Sequence, residues 1–146
     1  MTLDDQIKLA EGFRSKPYDD ATGKELQPGD TLKGCITIGW GTNLSAGIPV
    51  KLAQILFNHS VDEARKDAST VIGYGIFSAL SQARQDALTE MAYQMGRTRL
   101  SGFKDMIEAV KEGNWDRAAA EAHDSAWARD FPDRANRVVS GFLEGF

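Results

Sequence analysis

The chain has 146 residues, 42% of them hydrophobic and 26% charged, with a formal net charge of −4. A chain of this length buries roughly 68–70% of its unfolded surface without covalent staples, and it fits one domain, or one domain with two lobes. Disorder and low complexity are excluded, and the acidic balance lacks the basic stripe that nucleic-acid binding requires.

Cysteine and histidine usage narrows the chemistry. Cys35 is the one cysteine, so no intramolecular disulfide can form, as suits folding in a reducing cytosol. His59 and His123 are far apart and give no metal-ligand spacing. The chain is therefore expected to work without metal or cofactor. Gly39 and Gly41 form a G-x-G that lacks the third glycine and the βαβ unit of a nucleotide loop. The start, Met1-Thr2-Leu3-Asp4-Asp5, has no basic region followed by an apolar core, so no signal peptide is expected. The most apolar stretch, 71–80, is broken by two glycines and falls short of the roughly 20 residues that span a bilayer. No stable membrane insertion is expected.

The elements follow in order. Leu3, Ile7 and Ala10 share one face of a first helix over 3–10. Thr2 is its candidate N-cap, and Asp4 and Asp5 suit its positive end. Glu11-Gly12 ends it, with Gly12 expected in the left-handed C′ conformation. Residues 16–47 read as strands and turns. Ala21-Thr22-Gly23 and Gln27-Pro28-Gly29-Asp30 are turn signals, and Cys35-Ile36-Thr37-Ile38 is a strand. Two or three short antiparallel strands fit here, and so small a sheet needs helices packed on it.

Near residue 48 the period changes. Val50, Ala53, Phe57, Val61 (or Ser60), Ala64, Ala68 and Val71 predict a long helix over 49–72, with Pro49 in its first turn. Gly73-Tyr74-Gly75 stops it. Ala83, Ala87, Leu88, Met91, Ala92 and Met95 predict a second helix ended by Gly96. Further helices are expected at about 101–112, 114–125 and 132–143, with Asn114 and Asp133 as candidate caps. The fold class is α+β: a small antiparallel β lobe with the first helix (1–48), and a larger helical lobe joined through the long helix (49–146). A cleft between two lobes is a common place for a ligand, although architecture alone assigns no reaction.

Three polar residues around the small sheet stand out. Glu11 lies at the carbonyl end of the first helix, where partial charge is negative. A general acid must hold its proton near neutral pH. Asp20 follows in Lys16-Pro17-Tyr18-Asp19-Asp20, and Thr37 lies in Thr37-Ile38-Gly39-Trp40-Gly41. Paired carboxylates are the usual apparatus of glycoside hydrolysis. Singly, each has a plainer reading, as a solvated helix end or a turn-former.

Taken in order, Leu9-Ala10-Glu11-Gly12-Phe13-Arg14, Tyr18-Asp19-Asp20 and Thr37-Ile38-Gly39-Trp40-Gly41 resemble the motif run of the phage lysozymes. The resemblance continues through Leu56-Phe57-Asn58, Tyr93-Gln94-Met95-Gly96, Ser101-Gly102-Phe103, Asn114-Trp115-Asp116-Arg117-Ala118-Ala119, Ser125-Ala126-Trp127 and Pro132-Asp133-Arg134-Ala135-Asn136-Arg137-Val138, covering nearly the whole chain.

The resemblance implies a lysozyme-like fold and an endolysin-type muramidase that cleaves the β-1,4 bond between N-acetylmuramic acid and N-acetylglucosamine in peptidoglycan, with inversion. It implies that Glu11 protonates the leaving oxygen, that Asp20 activates water or stabilises charge at the sugar, and that Thr37 contacts that water. The match to Asp20 rather than Asp19 rests on its spacing from Tyr18. Gln94, Tyr93 and Arg134 are implied substrate-contacting residues, Arg134 also as a partner of the catalytic Glu. An inverting pair stands roughly 6.5–9.5 Å apart, leaving room for water. A monomer is implied, held in the host cytoplasm until a holin-like pore releases it to the cell wall.

The chain departs from the family pattern in three places. The segment between Asp20 and Thr37 is longer, and is expected to extend a hairpin. Thr42 and Ser60 stand where the family has a His–Asp ion pair. The segment around 73–79 is shorter. Two other readings stand beside the hydrolase: a lytic transglycosylase, which needs only the Glu, and a silent peptidoglycan-binding protein. Trp115, Trp127 and Cys35 read as buried packing residues, and Trp40 as either packing or a sugar contact. Arg97 and Arg99 read as surface charges or as contacts for anionic wall groups.

Overall fold

Local chemistry fixes where the first helix begins. In α1 (Leu3–Glu11), Thr2 and Asp5 form a reciprocal capping box: the Thr2 hydroxyl accepts the Asp5 N–H at 3.2 Å, and the Asp5 carboxylate accepts the Thr2 N–H at 2.9 Å. Gly12 ends the helix at φ 67°, ψ 155°. Its φ is positive as expected, but its ψ is not that of the left-handed cap, because the chain leaves directly into an extended strand.

The computed structural model describes residues 1–145. Its architecture is α+β, and the chain divides into two compact units, Met1–Ala53 and Gln54–Phe146. The first unit holds α1 and a three-stranded antiparallel sheet in the order β1 (Arg14–Asp19), β2 (Ile36–Gly39), β3 (Thr42–Asn43). Tyr18 faces Thr37 and Asp19 faces Ile36, with a register shift between Arg14 and Tyr18. The strand expected from Cys35 begins one residue later.

The long loop between β1 and β2 folds back on the free edge of β1. Tyr18 bridges Glu25, the Asp19 N–H donates to the Lys24 carbonyl at 2.9 Å, and the Leu26 N–H donates to the Pro17 carbonyl at 2.9 Å. The expected hairpin extension is thus a short return rather than a longer β1–β2 ladder.

The second unit is helical. It comprises most of α2 (Val50–Ile72), then α3 (Tyr74–Ala79), α4 (Gln82–Leu100), α5 (Lys104–Glu112), α6 (Trp115–His123), α7 (Ala126–Asp130) and α8 (Pro132–Glu144). Pro49 lies just outside α2 rather than within its first turn. Gly96 breaks α4 at φ 76°, ψ 168°, as expected, but the chain resumes a helical turn as far as Leu100. Asn114 caps α6 through the Arg117 N–H at 3.1 Å. Asp133 is not a cap. Phe131 holds that position, and Asp133 sits in the first turn after Pro132, where its charge suits the helix dipole. The short α3 and α7 carry too few turns to show a period.

Leu88, Met91, Leu100, Met106, Val110, Val138 and Phe142 are fully buried and form the core of this unit. Small residues let the helices approach. A Cβ on Gly141 would lie 3.0 Å from the Ala87 Cβ and 3.1 Å from the Ala83 carbonyl, so α8 packs closely on α4. Trp115 packs on Phe142 at 5.9 Å, and the Arg84 guanidinium lies over its ring at 3.9 Å. Trp127 is buried, as expected, while Trp115 is partly exposed. His59 and His123 are exposed. Cys35 is half-buried rather than a buried packing residue, because it precedes β2. Among the described residues, no helix is long and apolar enough to cross a membrane.

Candidate active site

The last residue of α1 is Glu11, and its exposed side chain lies on the turn between β2 and β3. A Cβ on Gly41 would stand 2.9 Å from the Glu11 Cδ and overlap its carboxylate oxygen. Gly41 also has φ +74°, a conformation that L side chains rarely adopt. The positive φ favours glycine at the second glycine of the Thr37–Gly41 motif, and a side chain there would also shift the Glu11 carboxylate. Trp40 anchors the same corner. Its ring packs on Phe13 at 4.8 Å, and Lys8 Nζ lies 5.0 Å from its centre. Of its two expected roles, the structure shows packing, with 44% of the residue exposed.

Thr37 is buried at 4% exposure in the middle of β2. It is paired with Tyr18, so the two side chains share a face of the sheet. Its hydroxyl is turned to the Cys35 carbonyl at 3.5 Å, which leaves oxygen lone pairs free to accept. Asp20 lies just past the end of β1, exposed, and is held by a two-way link to one residue. Its N–H donates to the Cys35 carbonyl at 3.1 Å, and its Oδ1 accepts the Cys35 N–H at 2.6 Å. Glu11, Asp20 and Thr37 thus all stand on the first unit, on the helix end and strands of one small sheet.

The adjacent aspartates differ sharply in environment. Asp19 is 3% exposed. Its carboxylate accepts N–H groups from Lys33 at 2.6 Å, Ala21 at 2.9 Å and Gly34 at 3.0 Å. The Lys33 amide, with those of Ala21 and Gly34, holds the Asp19 carboxyl below its usual range against the opposing effect of burial. Its oxygens are committed to the backbone, whereas Asp20 is open to solvent.

The second unit carries the other residues named from sequence. Tyr93 and Arg134 line one cavity of about 360 Å³ together with Phe57, Thr89 and Glu90. Phe57 and Tyr93 are in aromatic contact at 6.0 Å. Arg134 lies 3.6 Å from Glu90, which also takes Arg137 at 2.8 Å. Gln94 is not in that cavity lining. Its Oε1 accepts the Trp127 indole N–H at 2.8 Å, tying α4 to α7. Arg99 lines a separate cavity of about 460 Å³ with Phe103, Lys104, Glu121 and Trp127, and Arg97 is exposed. Thr42 lies in β3, and the Ser60 hydroxyl donates to the Leu56 carbonyl at 2.9 Å.

Sequence reasoning did not find Gly34 or Glu90, weighed Asp19 only as the alternative to Asp20, and named Gly41 without its contact to Glu11. Gly41 had a signal in its place in the Thr37-Ile38-Gly39-Trp40-Gly41 motif. The burial of Asp19 and the pairing of Glu90 had none, because two of the three Asp19 amide partners lie 14–15 residues away and the Glu90 partners 44–47. Among the described residues, no three metal-ligating side chains gather.

Comparison with known proteins identifies the family. The family described as Phage lysozyme matches residues 8–144. The probable T4-type lysozyme 2 of Dictyostelium discoideum is 39% identical, the alignment covering 99% of this chain and 95% of that protein. The pre-baseplate central spike protein Gp5 of Enterobacteria phage T4 is 30% identical over 99% of this chain, which spans 28% of the spike protein's length. The peptidoglycan hydrolase gp36 of Pseudomonas phage phiKMV is 29% identical over 97% of this chain and 15% of its own. With an α+β architecture, the ordered motif residues in place and the family match spanning all but the ends, the chain belongs to the phage lysozyme family, the lysozyme-like cell-wall hydrolases.

Proposed function

We propose that residues 1–146 act as one muramidase domain that hydrolyses the β-1,4 bond between N-acetylmuramic acid and N-acetylglucosamine, inverting the sugar's configuration. The observation that carries this reading is the seating of the Glu11 carboxyl on Gly41, on the same small sheet that carries Thr37 and ends at Asp20. Glu11 gives its proton to the leaving glycosidic oxygen. Asp20 takes a proton from the attacking water through the oxygen not bound to Cys35. Thr37, its hydroxyl hydrogen directed to Cys35, accepts from the same water and fixes its approach. The exposure of Asp20, against the full commitment of Asp19, supports Asp20 as the acting member of the pair. On this reading Tyr93, Arg134 and Gln94 contact the substrate, and Gln94 also holds Trp127. The biological setting we infer is that of an endolysin: a monomer acting on peptidoglycan once a holin-like pore gives it passage from the host cytoplasm.

The test compares wild type with Glu11→Gln on outer-membrane-stripped Gram-negative cells, with released fragments identified by mass spectrometry. Reducing-end muropeptides from wild type alone are expected. Anhydro-sugar products would move the activity to a transglycosylase. No products from a folded wild type would leave a binding protein.

A further inference from the structure

We propose that Asp19 is a positioning residue for Asp20: its buried carboxylate gathers the two ends of the 20–34 loop and thereby fixes the Asp20 carboxylate on the Cys35 amide. This rests on the reading of Asp20 as the group that activates water. The three amides that Asp19 collects belong to Ala21, Lys33 and Gly34. Ala21 directly follows Asp20, and Gly34 directly precedes Cys35. The clamp therefore closes around the one pair of residues that hold each other by the 2.6 Å and 3.1 Å bonds between Asp20 and Cys35.

The remaining polar groups of Asp19 work in the same direction. Its N–H donates to the Lys24 carbonyl at 2.9 Å, and its carbonyl accepts the Gly23 N–H at 2.7 Å. Space is matched to the clamp. A Cβ on Gly34 would overlap Asp20 Oδ1 and stand 2.7 Å from the Ala21 Cβ. The loop ends are thus pressed together with the Asp20 carboxylate between them. Opened, a loop of this length regains conformational freedom, and the Asp20 carboxylate loses its fixed direction.

Asparagine is the informative replacement, since it keeps the shape but has one acceptor oxygen. Its amide NH₂ must point at either the Lys33 N–H or those of Ala21 and Gly34, donor against donor. Displacement of a reacting group by about 1 Å costs on the order of 100-fold in rate. Asp19→Asn is therefore expected to lower kcat by about 10- to 100-fold with KM changed less than about twofold, measured on soluble peptidoglycan fragments well below the melting temperature.

A second readout is independent of turnover. In wild type the short bond to Asp20 is expected to move the Cys35 amide proton downfield in a proton–nitrogen correlation spectrum. In Asp19→Asn that resonance returns to the ordinary range while the amides of 54–145 stay in place. Asp20→Asn separates the two ideas: full activity in that variant removes the role of Asp20, while the Cys35 resonance still decides whether Asp19 positions it. Wild-type kcat and an unmoved Cys35 amide in folded Asp19→Asn overturn the proposal. If Asp19→Asn does not fold, Asp19→Ser, which keeps one acceptor oxygen, takes the same two measurements. Unfolding of both variants overturns positioning in favour of a purely structural role.

Discussion

Glu11 and Gly41 are in close contact: a Cβ on Gly41 would lie 2.9 Å from the Glu11 Cδ and overlap its oxygen, so a side chain there requires the carboxyl to move. The end of α1 and the β2–β3 turn are thereby joined through the proposed acid itself. Any atom added to the turn must displace the carboxyl, and the positive φ of 74° at Gly41 adds backbone strain to the same substitution.

Gly41→Ala is thus expected to lower kcat/KM by about 100-fold and to destabilise the protein by about 1–3 kcal/mol. Steady-state kinetics and urea unfolding check the two effects separately. An active Gly41→Ala with only the stability loss would show that the carboxyl finds its working position without this contact.

Stability towards acid should carry the signature of Asp19. Its carboxyl titrates below the ordinary 3.8, chiefly because of the Lys33 amide. The charged form binds fewer protons in the folded state, so its contribution is present above 3.8 and is lost as pH falls through the lowered folded value. Denaturation of wild type and Asp19→Asn between pH 7 and pH 2 should show a constant stability gap at the upper end. The gap should narrow below about pH 4. A gap independent of pH would mean that the asparagine loses only packing.

The Gln94–Trp127 bond offers a third measurement. Trp127→Phe removes the indole N–H and leaves the Gln94 Oε1 without its 2.8 Å donor. The expected cost is about 1–3 kcal/mol. A double-mutant cycle with Gln94→Leu should return a coupling of about 1 kcal/mol. Zero coupling would make Gln94 free to serve substrate alone.

Phe142 sits fully buried between Trp115 and the α4–α8 contact. Phe142→Ala is expected to cost about 3–5 kcal/mol. Calorimetry of the variant checks it. By contrast, Glu90→Gln touches ion pairs whose members are 31–59% exposed, and it should cost under about 1 kcal/mol.

The sequence by itself determined whatever rests on neighbours along the chain. The capping box of Thr2 and Asp5, the cap at Asn114, the break at Gly96 and the α+β division each depend on residues within a few positions, and each is present. The ordered motif residues also pointed to the family, and to Glu11, Asp20 and Thr37 as candidates. Only the tertiary structure decided what those residues touch. Asp19 and Asp20 are the same side chain one position apart. One is buried by amides from across a loop, and the other is left in solvent. Gln94, named from a motif as a substrate contact, is bonded to an indole 33 residues away. A carboxylate or amide has the same donors and acceptors wherever it stands. Its role is set by which groups the fold brings within about 3 Å, and that information lies in packing rather than in adjacency.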